Sequence, residues 1–105
     1  MKLNVLERLT LLQVLPQEGN FLTLKIIRDL TEVVGLNEKE FKDFGIKEAD
    51  GQVSWNQKGI EEREIEIGEK ATDIIVEALK KLNETNKLGQ RHLTLYEKFI
   101  EKKGV

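Results

Sequence analysis

A chain of 105 residues, 39% of them hydrophobic and 34% charged, carries enough apolar material for one core and too much for a disordered segment, so residues 1–105 are read as a single domain. The formal charge of −2 excludes a general electrostatic coat for nucleic acid or anionic lipid. The absence of cysteine excludes disulfides, thiolate metal sites and cysteine nucleophiles.

The apolar N-terminus is interrupted by Glu7, Arg8, Thr10 and Gln13. It therefore reads as neither a signal peptide nor a membrane span, and a cytoplasmic, membrane-free setting is expected. A first helix is predicted over 5–15, opened by the capping-box spacing of Asn4 and Glu7 and stopped by Pro16. Its apolar residues form two faces. Val5, Leu6, Leu9 and Leu12 make one, and Leu3, Leu11, Val14 and Leu15 make the other. A surface helix needs one such stripe. Either this helix is central to the fold, or it lends its second face, Leu11, Val14 and Leu15, to another chain. The second option makes those residues a candidate interface and a homo-oligomer, first of all a dimer, the expected assembly.

Gly19 and Asn20 mark a turn, and a second helix follows over 22–34 with Leu24, Ile27, Leu30 and Val34 on one face. Gly35 stands at its C-terminal cap position. Asn37 and Glu40 repeat the capping-box spacing and open a third, short helix to residue 44, with Phe41 and Phe44 inward. Residues 46–49 and 52–55 flank Asp50-Gly51, a dipeptide suited to a type I′ hairpin turn. Val53 and Trp55 alternate with polar neighbours, as on a half-buried strand. Trp55 is also a candidate contact, since tryptophan is enriched at binding hot spots. Residues 63–67 alternate Ile65 and Ile67 with glutamates and are read as a strand against the hairpin, although Ile60, Ile67, Ala71 and Ile74 also fit a backward extension of the main helix, which Gly68 would weaken.

The dominant helical pattern lies in residues 68–88. Ala71, Ile74, Ile75, Ala78, Leu79 and Leu82 form one stripe, with acids early and lysines late as the helix dipole prefers. A last helix over 91–101, with Leu93, Tyr96, Phe99 and Ile100 inward, completes an antiparallel helix pair. The expected fold is α+β and mainly helical: three N-terminal helices, a small hairpin or meander, then a C-terminal αα-hairpin.

No spacing of residues calls for a cofactor or metal, and no catalytic activity is expected. Glu61, Glu62, Glu64, Glu66 and Glu69 read as a solvated charged edge that discourages sheet association. His92, the lone histidine, has no nucleophile or orienting acid at a recognisable spacing and reads as a surface residue. From residue 35 to 70 there are six positive and ten negative side chains, and from 71 onward seven positive and five negative. Lys80, Lys81, Lys87, Arg91 and Lys98, with Lys102 and Lys103, form a candidate basic patch. The helix, turn, helix, hairpin order over 22–56 resembles winged helix-turn-helix domains in topology. Glu38 and Glu40, however, stand where a recognition helix meets phosphates, which makes nucleic acid an unfavoured partner.

The phrases IEIGEKATDIIVEALKKLNETNKL, HLTLYEKF and LNVLERLTLLQVLPQEGNFLTLKIIRDL resemble small uncharacterised proteins of tailed bacteriophages and prophages. That resemblance implies an assembly factor or host-interaction accessory protein in an infected bacterium, and it brings no functional residue with it. The expectation is thus a non-catalytic, self-associating protein-interaction module. The alternatives are a winged-helix-like DNA-binding regulator and a protein that sequesters a small ligand or inhibits a host enzyme.

Overall fold

The computed structural model describes residues 1–101. The chain runs β1 (Lys2–Leu3), α1 (Val5–Val14), α2 (Phe21–Val34), α3 (Glu38–Asp43), β2 (Lys47–Ala49), β3 (Gln52–Ser54), a 3₁₀ turn at Gln57–Ile60, β4 (Arg63–Glu64), α4 (Glu69–Glu84), a second 3₁₀ turn at Gln90–His92 and α5 (Leu93–Phe99). This is the mainly helical α+β fold with a C-terminal helix pair that the patterning predicts. Among the described residues no helix is long and apolar enough to cross a membrane.

Asparagines start the first three helices. Asn4 Oδ1 accepts from Glu7 N–H at 2.9 Å while Glu7 Oε1 accepts from Asn4 N–H at 3.0 Å, and Asn37 and Glu40 repeat the exchange at 2.8 and 3.2 Å. Each box satisfies two backbone donors that a helix start leaves orphaned. Asn20, read as a turn residue, caps α2 through Thr23 N–H at 2.8 Å. Two helices end in Schellman motifs. After α3, Gly45 takes φ 57°, and the Ile46 N–H reaches Phe41 O at 3.1 Å. After α4, Asn86 takes φ 58°, and Lys87 N–H reaches Leu82 O at 2.8 Å. Gly35 is different. Its φ is −62°, and it is small because a Cβ there would stand 2.9 Å from Thr31 O.

The core joins Leu3, Leu11 and Leu15 to Leu30 and Val34 of α2, to Ala71, Ile75 and Leu79 of α4, and to Leu95 and Phe99 of α5. Three details depart from the patterning. The strand at β4 is two residues long and pairs antiparallel with β1, Lys2 opposite Glu64 and Leu3 opposite Arg63. The hairpin β2–β3 therefore stands as its own two-stranded sheet. In the last helix Leu95 is buried and Leu93 half exposed, so the inward stripe runs through His92, Leu95 and Phe99, spaced three and four residues apart. Phe44 is buried beneath the Arg63 guanidinium, 4.8 Å from its ring centroid, whereas Phe41 is exposed.

Two charged residues sit within this core. Arg8 is almost fully buried. Its Nε donates to Val34 O at 2.8 Å, one terminal nitrogen donates to Gly35 O at 2.8 Å, and both terminal nitrogens grip the Glu40 carboxylate at 2.7 and 3.0 Å. One guanidinium thus closes the end of α2 and the start of α3 onto α1. Glu7, also buried, accepts from Lys98 Nζ at 2.8 Å. That lysine also donates to Lys2 O at 2.9 Å and pairs with Glu62, which binds β1, α1 and the approach to β4 to α5.

Removing one partner of a buried pair strands the other charge. Arg8→Met should cost about 3–5 kcal/mol in urea unfolding, and Glu40→Met added to it should recover only part, because the Val34 and Gly35 carbonyls stay orphaned. The hydrogen bond from Arg8 holds the Glu40 carboxyl below the ordinary 4.5. A lowered folded pKa stabilises above the unfolded value and is lost as pH falls through the folded one. Below pH 4.5 the wild type should therefore lose this increment, and Arg8→Met should show a shallower acid limb in the same urea series.

Candidate functional site

The face of α1 turned from the core is apolar, and the hairpin closes a groove over it. Leu6, 42% exposed, and the half-buried Leu9 form one wall, with Gln13 a turn beyond. Val53, 40% exposed, and the half-buried Trp55 form the other, with Gly51 at the hairpin tip and Arg91 at the rim. The groove encloses about 420 Å³.

Local chemistry sets the hairpin in this place. Asp50 and Gly51 take φ of 52° and 75°, the left-handed pair a type I′ turn requires and the reason glycine follows aspartate here. The base is pinned to the end of α3, where Asn56 N–H donates to Phe44 O at 2.7 Å and its Nδ2 to Asp43 O at 3.0 Å. All the residues of β2 and β3 are exposed. The half-buried strand expected of Val53 is therefore an outlying one, since β4, which would have covered it, pairs with β1 instead.

The contact expected of Leu11, Val14 and Leu15 is overturned, because on that side the first helix is central to the fold. Leu11, with no exposed surface, and Leu15 lie in the core, where they meet α2, α4 and α5 rather than another chain. Val14 is half-buried against the same core. The open face is the one holding Leu6 and Leu9. Spacing alone shows two stripes and does not say which of them later helices will cover.

Of the sequence candidates, the structure brings Trp55 and Arg91 to one groove and separates the rest. Lys81 and Lys87 border another cleft, of about 300 Å³, together with Val14, Ala78 and Leu82. Lys80 is exposed on α4. Lys98 is committed to Glu7, Glu62 and Lys2 O, and its ion pairs hold its pKa above the usual lysine value against the opposing effect of burial. Lys102 and Lys103 lie outside the described residues. The basic residues thus form no single patch among those described. Arg91 has no ion-pair partner within the described residues.

His92, expected at the surface, is buried. The 3₁₀ turn folds it inward to burial, and its Nδ1 accepts from Gly89 N–H at 2.8 Å. Burial, then the neighbouring Arg91 charge, pushes its pKa below 6.5. Within the glutamate-rich run, Glu62 pairs with Lys98 and Glu64 with the Met1 ammonium. Among the described residues no three acidic or histidine side chains are placed to share a metal ion.

The groove can offer apolar contact, an aromatic face and one guanidinium, and Arg91 is the one ionisable side chain lining it. These are means of binding, with Trp and Arg the residue types that anchor protein interfaces. Comparison with protein-family models, curated proteins and solved structures finds no match.

Two measurements check this placement. Leu11→Asp should lose more than about 4 kcal/mol and with it the cooperative melt, whereas Leu6→Asp should melt within a few degrees of wild type by circular dichroism. A histidine with a depressed folded pKa stabilises above its unfolded value and loses that contribution as pH falls through the folded one. The melting temperature should therefore fall as pH drops below 6.5, and His92→Gln should flatten that fall.

Proposed function

We propose that the protein is a non-catalytic interaction module that self-associates through the groove between α1 and the hairpin. The observation that carries this reading is the set Leu6, Val53 and Trp55. Three apolar side chains from two elements are left outside the core on one surface, beside an arginine with no ion-pair partner among the described residues. A two-stranded hairpin is marginal by itself, and a chain laid across it would bury Val53 and the rest of Trp55. A patch with one charge, at its rim, can meet its own copy about a two-fold axis without opposing like charges at the centre. On the phage-protein resemblance, such a module would serve assembly or contact with a host component in the cytoplasm.

The alternatives have less to support them. A winged-helix reader needs a basic helix at α3, yet α3 sets Glu38, Glu40 and Asp43 against Lys39 and Lys42, with Glu40 turned in to Arg8. Sequestration of an anionic ligand needs the basic residues to converge, and Lys98 is already neutralised by two glutamates.

Trp55 is the sole tryptophan, so its fluorescence reports on the groove alone. Sedimentation equilibrium and Trp55 emission, followed together up to about 1 mM chain, a binding free energy near −4 kcal/mol, should show a dimer forming as the emission shifts to the blue. Leu6→Asp should weaken the dimer at least about tenfold while keeping the melt of the wild type. A monomer with constant emission over that whole range would overturn self-association.

A further inference from the structure

A second groove, separate from the first, runs between α2 and the lead-in to α4. Leu30 and Ala71 form its buried floor and Ile26 and Val33 one wall, enclosing about 380 Å³. Along α2, Leu22, Ile26, Asp29 and Val33 are spaced four, three and four residues apart and so share one stripe. Leu22 is 58% exposed, Val33 is 45% exposed and Ile26 is half-buried. Ile26, Asp29 and Val33 line the groove, and Leu22 continues the stripe one turn beyond it. From Ile26 to Val33 the lined stretch is about 10 Å at 1.5 Å per residue, the length of two turns of an incoming helix.

The rim is acidic. Asp29, Glu66 and Glu69 line the groove, all exposed, against Lys70 as the one cation. None of the three carboxylates has an ion-pair partner among the described residues, whereas Glu7, Glu40, Glu62 and Glu64 are all paired. The positive end of α4 accounts for Glu69. It does not account for Asp29, which stands on the neighbouring helix one turn from the exposed Val33.

We propose that this groove docks a cationic amphipathic helix from a partner protein. Apolar side chains one or two turns apart would fill the space over Ile26 and Val33, while lysines or arginines meet Asp29, Glu66 and Glu69. Helix-in-groove docking supplies the apolar contact, and the charge pattern selects a basic partner over an acidic one. The surface shares no lining residue with the α1–hairpin groove, so either assignment can fail without the other.

The test uses the full chain and three synthetic helical peptides. One presents leucines at i, i+4 and i+7 with flanking lysines, one carries glutamates in place of those lysines, and one is a scrambled version of the first. Binding is read by fluorescence anisotropy of the labelled peptide and by amide chemical shifts of the protein. The lysine peptide should bind with shifts centred on residues 22–33 and 66–71, and added salt should weaken it. Val33→Asp, and separately Asp29→Lys with Glu66→Lys, should each cut affinity at least about tenfold, with the circular dichroism melt kept to show that the fold survives. Equal binding of the scrambled peptide, shifts centred on Trp55, or full affinity in the charge-reversed variant would each overturn the assignment. So would self-association of the wild type that Val33→Asp abolishes, because the occupant would then be a second copy.

Discussion

Two consecutive residues on α1, Glu7 and Arg8, tie the molecule together by carrying their charges inward to different partners. Arg8 holds the α2–α3 junction, and Glu7 holds the last helix through Lys98. Placing these groups out of water costs several kcal/mol each unless every donor and acceptor is met. Here they are met, and no buried side-chain nitrogen or oxygen in the described residues lacks a partner. Such pairs add little net stability against apolar replacements of the same shape. Their contribution is to register. An apolar core tolerates a sliding helix, whereas a guanidinium seated on two carbonyls and a carboxylate does not.

This arrangement explains which face of α1 is free. With Glu7 and Arg8 directed at their partners, Leu11 and Leu15 are drawn over α4 and α5, and Leu6 and Leu9 are left facing the hairpin. The hairpin lies outside the core because β4, the strand that might have extended it, is taken by the N-terminal strand. A groove with tryptophan in one wall follows from these two facts together.

Local signals were legible in the sequence, and choices between equivalent partners were not. Capping boxes at Asn4 and Asn37 and the turn at Asp50-Gly51 are encoded within four residues each, and they form as the spacing predicts. The main helix is found because its stripe repeats, and it runs two residues into the expected connection at 83–90 before closing at Glu84 through a left-handed Asn86. What failed was long-range. The partner of β4, the buried side of α1 and the burial of His92 depend on residues tens of positions away. Glu7 and Arg8 were visible only as interruptions of an apolar run. Charges that break such a run near a two-faced helix are a usable signal for buried pairing. Of the candidate site, Trp55 and Arg91 were picked out by residue type, whereas Leu6, Leu9 and Val53 were hidden among core-like neighbours.

The pairing of Glu7 with Lys98 also carries a consequence for the order in which the chain takes shape. The two residues are 91 positions apart, so on a ribosome the glutamate emerges on the order of ten seconds before its lysine exists. During that interval α1 cannot settle into its final packing without burying an uncompensated carboxylate. Closure of the core waits for α5 to arrive with its charge, which places the decisive folding step after nearly all of the described chain has been synthesised.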